Sequence, residues 1–484
     1  MAQASTEKAT RPALDRFFKI SERGSSVGRE VRGGLVTFVA MAYIIVLNPL
    51  ILGSFSPDDP GAKTDATGAI LGVPQVAAVT ALVAGVLTIL MGVVANFPFA
   101  LAAGLGINAL VAFTIAPQMS WAAAMGLVLV NGIVVLLLVV TGVRTMVFNA
   151  VPQALKAGIA VGIGLFIALI GLVDAGFVRP GDGTVVQLGI GGSIASWPTA
   201  VFVATLIVMA VLVARNVKGG ILLGVLFGTV LAIVIEAIVG AGTSADAPDT
   251  GWAYGYPALP DDIFGLPDLS LLGQVNFDAW VQVPAITAAL LVFSLVLTDF
   301  FDTIGTMTGL GREAGLADKD GKLPNVGKGL FVDSLGAVAG GAASASSNTV
   351  YVESAAGIAD GARTGLANVV TGLLFIAAMF FTPLYEVVPI EAAAPALVIV
   401  GALMIRQVTE IDFRDFALAL PAFLTIVVMP FTYSISNGIG AGFVSYVVLQ
   451  AATGRARKVH PLMWVVAAAF VVYFAIGPIQ DALS

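Results

Sequence analysis

The sequence predicts an all-α polytopic membrane protein with about 14 transmembrane segments, arranged as two inverted repeats of seven segments each. Hydrophobic residues make up 58% of the 484 residues and charged residues only 11%, with a mean hydropathy of +0.98. A soluble protein of this length needs far more charge to cover its surface. Apolar runs approaching the roughly 20 residues of a helical span recur along the chain. Acidic residues inside these runs are the third observation, because carboxylates at membrane depth usually mark a substrate or proton pathway.

The first half of the chain contains seven apolar segments. They are predicted at Leu35–Gly53, Pro74–Ala95, Leu101–Ala116, Trp121–Gly142, Leu155–Ala175, Trp197–Ala214 and Gly220–Gly240. Residues 1–34 precede them as a basic leader without the pattern of a cleavable signal peptide. We expect this leader in the cytoplasm.

The second half contains seven more apolar segments, several of them short for a full span. They are predicted at Pro284–Met307, Lys328–Ala343, Thr349–Asp360, Gly365–Tyr385, Ala392–Ile405, Phe416–Tyr433 and Asn437–Ala452. One more apolar stretch, Leu462–Ile479, follows the last basic loop. It is either a fifteenth span or a helix packed on the periphery.

The distribution of charge predicts the topology. Lys and Arg concentrate in alternate loops, as the positive-inside rule requires of cytoplasmic loops. The long loop at 241–283 carries six Asp and no Lys or Arg, so we expect it outside the cell. Seven segments on each side of this loop place the second half in the membrane in the opposite orientation, which is the inverted repeat of many secondary transporters.

Segments 3 and 10 each predict a short strand followed by a half-helix. Their sequences are NFPFALAAGLGINALVAFT and ASASSNTVYVESAAGIAD. Irregular backbone at membrane depth is tolerated only where it lines a cavity or is buried in protein. A half-helix that begins there directs its free N–H groups into the cavity. Asn108 lies early in the first half-helix, and Glu353 and Ser354 lie at the start of the second. The alternative is that both segments are small-residue helix-packing segments.

Segment 8 carries the other candidate residues. In TDFFDTIGTMTG, Asp299, Asp302 and Thr303 share one helical face because residues three and four apart are neighbours. Buried carboxylates this close favour a bound proton on one of them. We therefore predict proton coupling through Asp299, Asp302 and Glu353. The alternatives are that Asp299 tethers a neighbouring helix and that Asp302, nearer the cytoplasmic end, holds the half-helices in place.

Other residue types exclude several classes of site. The chain has no Cys and one His, His460 near the C-terminus, so a histidine proton relay in the membrane is excluded. We expect no metal and no cofactor, since no ligand cluster occurs and the glycine-rich GLGIN lacks the Gly-Lys-Ser/Thr of a phosphate loop. The sequence has no stripe of Lys and Arg of the kind that binds nucleic acid, so we expect no nucleic-acid partner.

Four stretches resemble a known family. REVRGGLVTFVAMAYIIVLNP, AAGLGINALVAFT, TDFFDTIGTMTG and VESAAGIADGARTGLANVVTGLLF are similar to signatures of the AzgA-like purine permeases, a branch of the nucleobase–cation symporter superfamily. The resemblance implies a core domain of segments 1–4 (35–142) and 8–11 (284–385). It also implies a gate domain of segments 5–7 (143–240) and 12–14 (386–453). Residues 241–283 are the extracellular loop, and 454–484 hold the last basic loop and the extra helix.

The resemblance also implies a function and a site. It implies import of adenine, guanine and hypoxanthine by proton symport across the cell membrane. Asp299 and Glu353 match the acidic substrate-binding positions, Asn108 matches a polar position of segment 3, and Asp302 matches a further functional acid. Thr303 stands where the uracil branch has a histidine, so the coupling role shifts to the carboxylates. Ser354, beside Glu353, completes the predicted substrate site.

Several alternatives stay open at this point. An anion transporter of the same fold, of the sulfate or bicarbonate type, is the nearest, although two carboxylates would repel an anion. A channel needs a continuous polar pore, and a membrane enzyme needs a nucleophile–base constellation, neither of which the sequence suggests. The preferred purine is open, Na⁺ is a weaker alternative to H⁺, and a homodimer is one option for the oligomeric state.

Overall fold

The computed structural model describes residues 12–58, 62–142, 150–181, 183–244, 247, 249–253, 256–259, 262–317 and 323–475. Within these ranges, the side chains of residues 301, 302, 304, 305, 308, 385 and 386 are outside the description. Over the described part of the chain, nine helices are long and apolar enough to cross a membrane, and four shorter apolar helices accompany them. The protein is therefore a multi-pass membrane protein, as the composition predicts.

All seven predicted segments of the first half are present. Segment 1 consists of two helices, Val27–Met41 and Ile44–Leu52, and segment 2 is the helix Val73–Leu90 with a π-helical turn to Ala95. Segment 3 consists of strand β3 Leu101–Ala103 and the helix Leu105–Leu110, which continues in irregular turns to Gln118. The remaining segments are single helices: segment 4 Trp121–Val140, segment 5 Gln153–Asp174, segment 6 Trp197–Ala214 and segment 7 Gly220–Val239.

The second half repeats this order. Its segments are segment 8 Ala285–Glu313, segment 9 Val326–Ala342, segment 10 with strand β6 Asn348–Val350 and helix Ser354–Ala359, segment 11 Gly365–Ala378 continuing to Glu386, segment 12 Ile390–Met404 continuing to Glu410, segment 13 Phe416–Phe431 and segment 14 Ile435–Ala452. A last helix, Pro461–Phe474, packs against segments 14 and 8.

The predicted start of segment 1 is wrong. Its first helix begins at Val27, eight residues before the expected Leu35. The side chain of Ser26 caps the helix by accepting a hydrogen bond from the Arg29 N–H. Hydropathy alone misses this extension because its first turns are charged, including a fully buried Glu30 that accepts hydrogen bonds from the Arg363 and Thr364 N–H groups.

Strands β3 and β6 confirm the strand-plus-half-helix prediction for segments 3 and 10. They form a buried antiparallel pair in which Leu101 lies opposite Val350 and Ala103 opposite Asn348. The Gly104 N–H donates to the Ser347 carbonyl at 2.9 Å and extends the pairing. The two repeats thus meet at this ladder, and the short helix of each segment begins at one of its ends.

Short strands in the loops between segments 1 and 2 and between segments 5 and 6 depart from a purely helical fold. Strand β1 Gly53–Ser54 pairs with β2 Leu71–Gly72, and β4 Val178–Gly181 forms a hairpin with β5 Thr184–Leu188. Strand β5 has the alternating sequence TVVQL, and Gly183 precedes it at a positive φ of 81°. Such a turn favours glycine, which pays no steric cost there.

The helices pack in two groups. Segment 4 packs on segment 9, and segment 11 packs on segments 1 and 2, while segment 5 packs on segments 12 and 13 and segment 6 on segments 7 and 12. Glycines permit the close contacts, since a Cβ added to Gly372 of segment 11 would lie 2.4 Å from the Gly85 carbonyl oxygen of segment 2.

Candidate substrate-binding site

Glu353 lies at the start of the segment-10 helix, as predicted, and is partly buried. The hydroxyl of Tyr43 donates a hydrogen bond to Glu353 Oε1 at 2.5 Å. Tyr43 is 1% exposed and lies at the break between the two helices of segment 1. Sequence reasoning missed this tyrosine, although it belongs to one of the four family-like stretches.

Asp299 is buried in the middle of segment 8. Its Oδ2 accepts hydrogen bonds from Asn131 Nδ2 at 2.9 Å and from the Ser347 hydroxyl at 3.0 Å. Asn131 belongs to segment 4 and Ser347 directly precedes β6, so Asp299 connects three elements of the fold. Asp299 therefore does tether neighbouring elements, as the structural alternative expects. A role for Asp299 in binding substrate stays a prediction.

Asn108 is fully buried in the half-helix of segment 3. Neither its Nδ2 nor its Oδ1 has a hydrogen-bond partner within the described part of the chain. A side-chain amide has two donors and an acceptor, and leaving them unmet in the interior is costly. Buried polar groups of this kind call for an explanation such as a ligand or an ordered water.

Ser354 and Thr303 have partners inside the protein. The Ser354 hydroxyl accepts a hydrogen bond from the Ala100 N–H at 3.0 Å, which holds the segment-10 helix against β3. The Thr303 hydroxyl donates to Asp333 Oδ1 at 2.9 Å and links segment 8 to segment 9. Their predicted contact with substrate stays a prediction. Asp302 lies in the helix of segment 8, but its side chain is outside the described residues.

The candidate residues sit on elements that contact one another. Segment 8 packs against β6 and against both half-helices, which places the backbone around Asp299, Glu353 and Asn108 in one region. The Tyr351 hydroxyl donates to the Ala103 carbonyl at 2.6 Å and braces the β3–β6 pair beside it. The arrangement offers carboxylate acceptors and an amide at the meeting point of the two repeats.

The chain matches the model of the permease family that covers xanthine and uracil permeases, over residues 28–441. It belongs to this permease family. It is 38% identical to the guanine/hypoxanthine permease PbuG of Bacillus subtilis, over 95% of this chain and 98% of that one. It is 36% identical to the adenine permease AdeQ of Escherichia coli, over 95% of each chain.

Solved structures similar to this permease have the same fold at low sequence identity. The transmembrane domain of the cyanobacterial bicarbonate transporter BicA matches with a TM-score of 0.58 and 15% identity, over 86% of this chain and 96% of that one. The structure of SLC26A9 matches with a TM-score of 0.57 and 11% identity, over 94% and 70% of the two chains. The predicted fold class is thereby confirmed, and the relatives are permeases rather than enzymes.

An aromatic cluster joins segments 3, 5 and 13 of this permease. Phe113 of segment 3, Phe166 of segment 5 and Tyr433 after segment 13 meet edge to face, with ring centroids 5.3 to 6.3 Å apart. Edge-to-face contact is a preferred geometry for such rings. Sequence reasoning missed this cluster because single aromatic residues in apolar segments carry no distinguishing pattern.

The unpartnered amide of Asn108 leads to a testable expectation. Asn108→Leu keeps the branched shape of the side chain and removes a buried polar group, so we expect a thermal unfolding temperature equal to or above that of the wild type. We expect ligand binding to fall, because the amide is lost from the site. Unmet buried polar groups cost about 1–3 kcal/mol each.

Asn48→Leu is the matched control for this experiment. Asn48 is equally buried, but its Nδ2 donates to Thr80 Oγ1 at 2.7 Å and to the Ala345 carbonyl at 3.2 Å. Its replacement should lower the unfolding temperature. A drop in unfolding temperature for Asn108→Leu as large as for Asn48→Leu would show that Asn108 is a structural residue with partners of its own.

Proposed function

We propose that this permease imports purine nucleobases (adenine, guanine and hypoxanthine) across the cell membrane in symport with protons. The observation that carries the proposal is the buried amide of Asn108, which has no partner within the described residues and lies on an element packed against the segment that carries Asp299. The sequence relatives named as adenine and guanine/hypoxanthine permeases support the choice of substrate.

A purine suits the chemistry of the proposed site. The edge of a purine alternates N–H donors with ring nitrogen and carbonyl acceptors. Carboxylates of Asp299 and Glu353 accept from the donors, while the Asn108 amide both donates and accepts. An inorganic anion is disfavoured by the same two carboxylates, and the likeness to a bicarbonate transporter extends to the fold alone. In this proposal Ser354 and Thr303 also line the site, and their hydrogen bonds to Ala100 and Asp333 fix their positions.

We assign proton coupling to Asp299, Asp302 and Glu353. His460, the single histidine, lies at the start of the last helix and accepts a hydrogen bond from the Leu462 N–H. The membrane segments therefore have carboxyl groups and no imidazole to carry a proton at neutral pH. This assignment favours H⁺ over Na⁺ as the coupling ion.

Uptake into proteoliposomes tests the proposed function. We expect labelled hypoxanthine to accumulate when an inward proton gradient is imposed, and accumulation to collapse when a protonophore is added. Labelled uracil is the control substrate and should accumulate far less. Full uptake driven by a sodium gradient alone, unaffected by the protonophore, would contradict proton symport while leaving purine transport in place.

We propose further that segments 1–4 and 8–11 move as a core against a gate of segments 5–7 and 12–14. Ion pairs between the two groups occur on both sides of the membrane in the proposed topology. On the outer side, Lys63 Nζ lies 3.4 Å from Asp174 Oδ2, and both side chains are nearly buried. On the cytoplasmic side, Lys218 Nζ lies 2.6 Å from Asp360 Oδ1, and Arg32 pairs with the same carboxylate.

The outer pair also explains a departure from the charge rule. Lys63 lies in a loop that the topology places outside, where few cations are expected. Its pairing with Asp174 supplies a structural reason for that position. The topology proposed here keeps the N-terminus in the cytoplasm. Apolar side chains exposed on segments 6 and 7 would be covered by the lipid bilayer or, in a homodimer, by a second copy.

A further inference from the structure

Tyr43 occupies an unusual place in segment 1. The first helix of that segment ends at Met41 and the second begins at Ile44, so Tyr43 lies at the break. Its ring is 1% exposed, and its hydroxyl reaches across to Glu353 Oε1 at 2.5 Å. The contact joins two residues 310 positions apart, one in each repeat.

The backbone of segment 10 is held without this contact. The Tyr351 N–H donates to the Ala100 carbonyl at 2.9 Å, and Ser354 Oγ accepts from the Ala100 N–H at 3.0 Å. The helix after Glu353 packs closely on segment 1, where a Cβ added to Gly357 would lie 2.1 Å from Thr37 Oγ1. What these contacts leave undetermined is the orientation of the Glu353 side chain, which has three rotatable bonds.

We propose that Tyr43 is a positioning residue that orients the Glu353 carboxylate toward the N–H donors of the purine. This inference rests on the proposed function, because it assumes that Glu353 accepts hydrogen bonds from substrate. A carboxylate offers about four acceptor positions, so one bond from Tyr43 leaves others for the ligand. Orienting the side chain before the ligand arrives removes an entropic cost of binding.

The expected effect of Tyr43→Phe is a loss of purine affinity of roughly 3- to 10-fold. This is the range expected when a single long side chain must be immobilised on binding. The Phe variant removes one oxygen and keeps the ring that fills the break in segment 1. We therefore expect its thermal unfolding temperature without ligand to stay close to that of the wild type.

A double-mutant cycle separates positioning from a structural role. Binding of labelled hypoxanthine is measured by scintillation proximity for the wild type, Tyr43→Phe, Glu353→Gln and the double variant. If Tyr43 acts by orienting the charged carboxylate of Glu353, Tyr43→Phe causes a smaller fold-loss in the Glu353→Gln background, where the tyrosine orients only a neutral amide. Tyr446→Phe, at a buried tyrosine of segment 14, is the control and should leave affinity unchanged.

Each outcome of this cycle decides the proposal. An unchanged affinity in Tyr43→Phe, or the same fold-loss in both backgrounds, overturns it. If Glu353→Gln binds too weakly to measure, Glu353→Asp closes the cycle. If Tyr43→Phe fails to fold, the Tyr43 hydroxyl has a structural role and the proposal is overturned. A wild type that binds no purine overturns the proposed function and this inference with it. Binding by the wild type with an unaffected Tyr43→Phe overturns this inference alone.

Discussion

Glu353→Gln and Asp299→Asn are each expected to weaken purine binding by about 10- to 150-fold and to abolish uptake at low substrate concentration. Each change keeps the volume of the side chain and removes the charge that accepts purine N–H groups. Hydrogen bonds to charged groups contribute roughly 1.5–3 kcal/mol, which corresponds to that range of affinities. Isothermal titration calorimetry with hypoxanthine in detergent measures the effect directly.

Both variants should fold, because the existing protein contacts survive the change. The amide oxygen of Asn at 299 still accepts from Asn131 and Ser347, and that of Gln at 353 still accepts from Tyr43. Any loss of binding is then a loss at the ligand rather than a collapse of the core. Elution as a single peak on size exclusion, with an unchanged unfolding temperature, checks this point.

Glu391→Gln is the control for replacing a buried carboxyl group by an amide. Glu391 is 1% exposed in segment 12, and its Oε1 accepts from the Ala253 N–H at 2.9 Å, a bond that glutamine also makes. It lies outside the proposed site, so purine affinity should be unchanged. Near-normal binding in Glu353→Gln and Asp299→Asn together would disprove the assignment of the site to these carboxylates.

The predicted site residues share a property that is visible in the sequence. Asp299 and Glu353 are acids inside apolar segments, and the cost of placing a carboxylate at membrane depth makes them conspicuous. Asn108 is conspicuous because it falls in a glycine-rich half-helix. These signals are local, so a single sequence carries them.

The partners of these residues could not be predicted in the same way. Tyr43, Asn131 and Ser347 are 310, 168 and 48 positions away from the carboxylates that they contact. A tyrosine or asparagine in an apolar segment has many structural uses, and nothing in the local pattern identifies its partner. Tyr43 and Asn131 meet their carboxylates only when one repeat folds onto the other, and Ser347 meets Asp299 only when segment 10 folds back onto segment 8.

The same distinction applies to the fold. Hydropathy located all fourteen segments, because each needs an apolar surface toward lipid or protein. It misplaced the start of segment 1, because the first turns there include the charged residue Glu30. Hydrogen bonds from the loop before segment 11 stabilise this buried carboxylate, and hydropathy does not detect them. Likewise, nothing in the sequence indicates that Glu236 accepts hydrogen bonds from Trp252 and Tyr256 in the long loop after segment 7.

A disulfide between segments 8 and 14 is expected to block transport completely. Ser436 Oγ lies 3.2 Å from Ser294 Oγ, and both side chains are buried where the proposed core meets the proposed gate. The chain has no native cysteine, so Ser294→Cys with Ser436→Cys introduces a single pair. A disulfide holds its two sulfur atoms about 2.05 Å apart, which prevents one bundle from moving past the other.

The matched control places a disulfide within the gate. A Cβ added to Gly158 of segment 5 lies 3.5 Å from Ala422 Cβ of segment 13, within the spacing of disulfide-bonded residues. Gly158→Cys with Ala422→Cys should therefore crosslink without loss of uptake. For the Ser294 and Ser436 pair, we expect oxidation to stop hypoxanthine uptake, reduction to restore it, and equilibrium binding to remain measurable throughout. Undiminished uptake by fully oxidised protein would mean that these two segments do not separate during transport, because a rigid link between core and gate is incompatible with their relative motion.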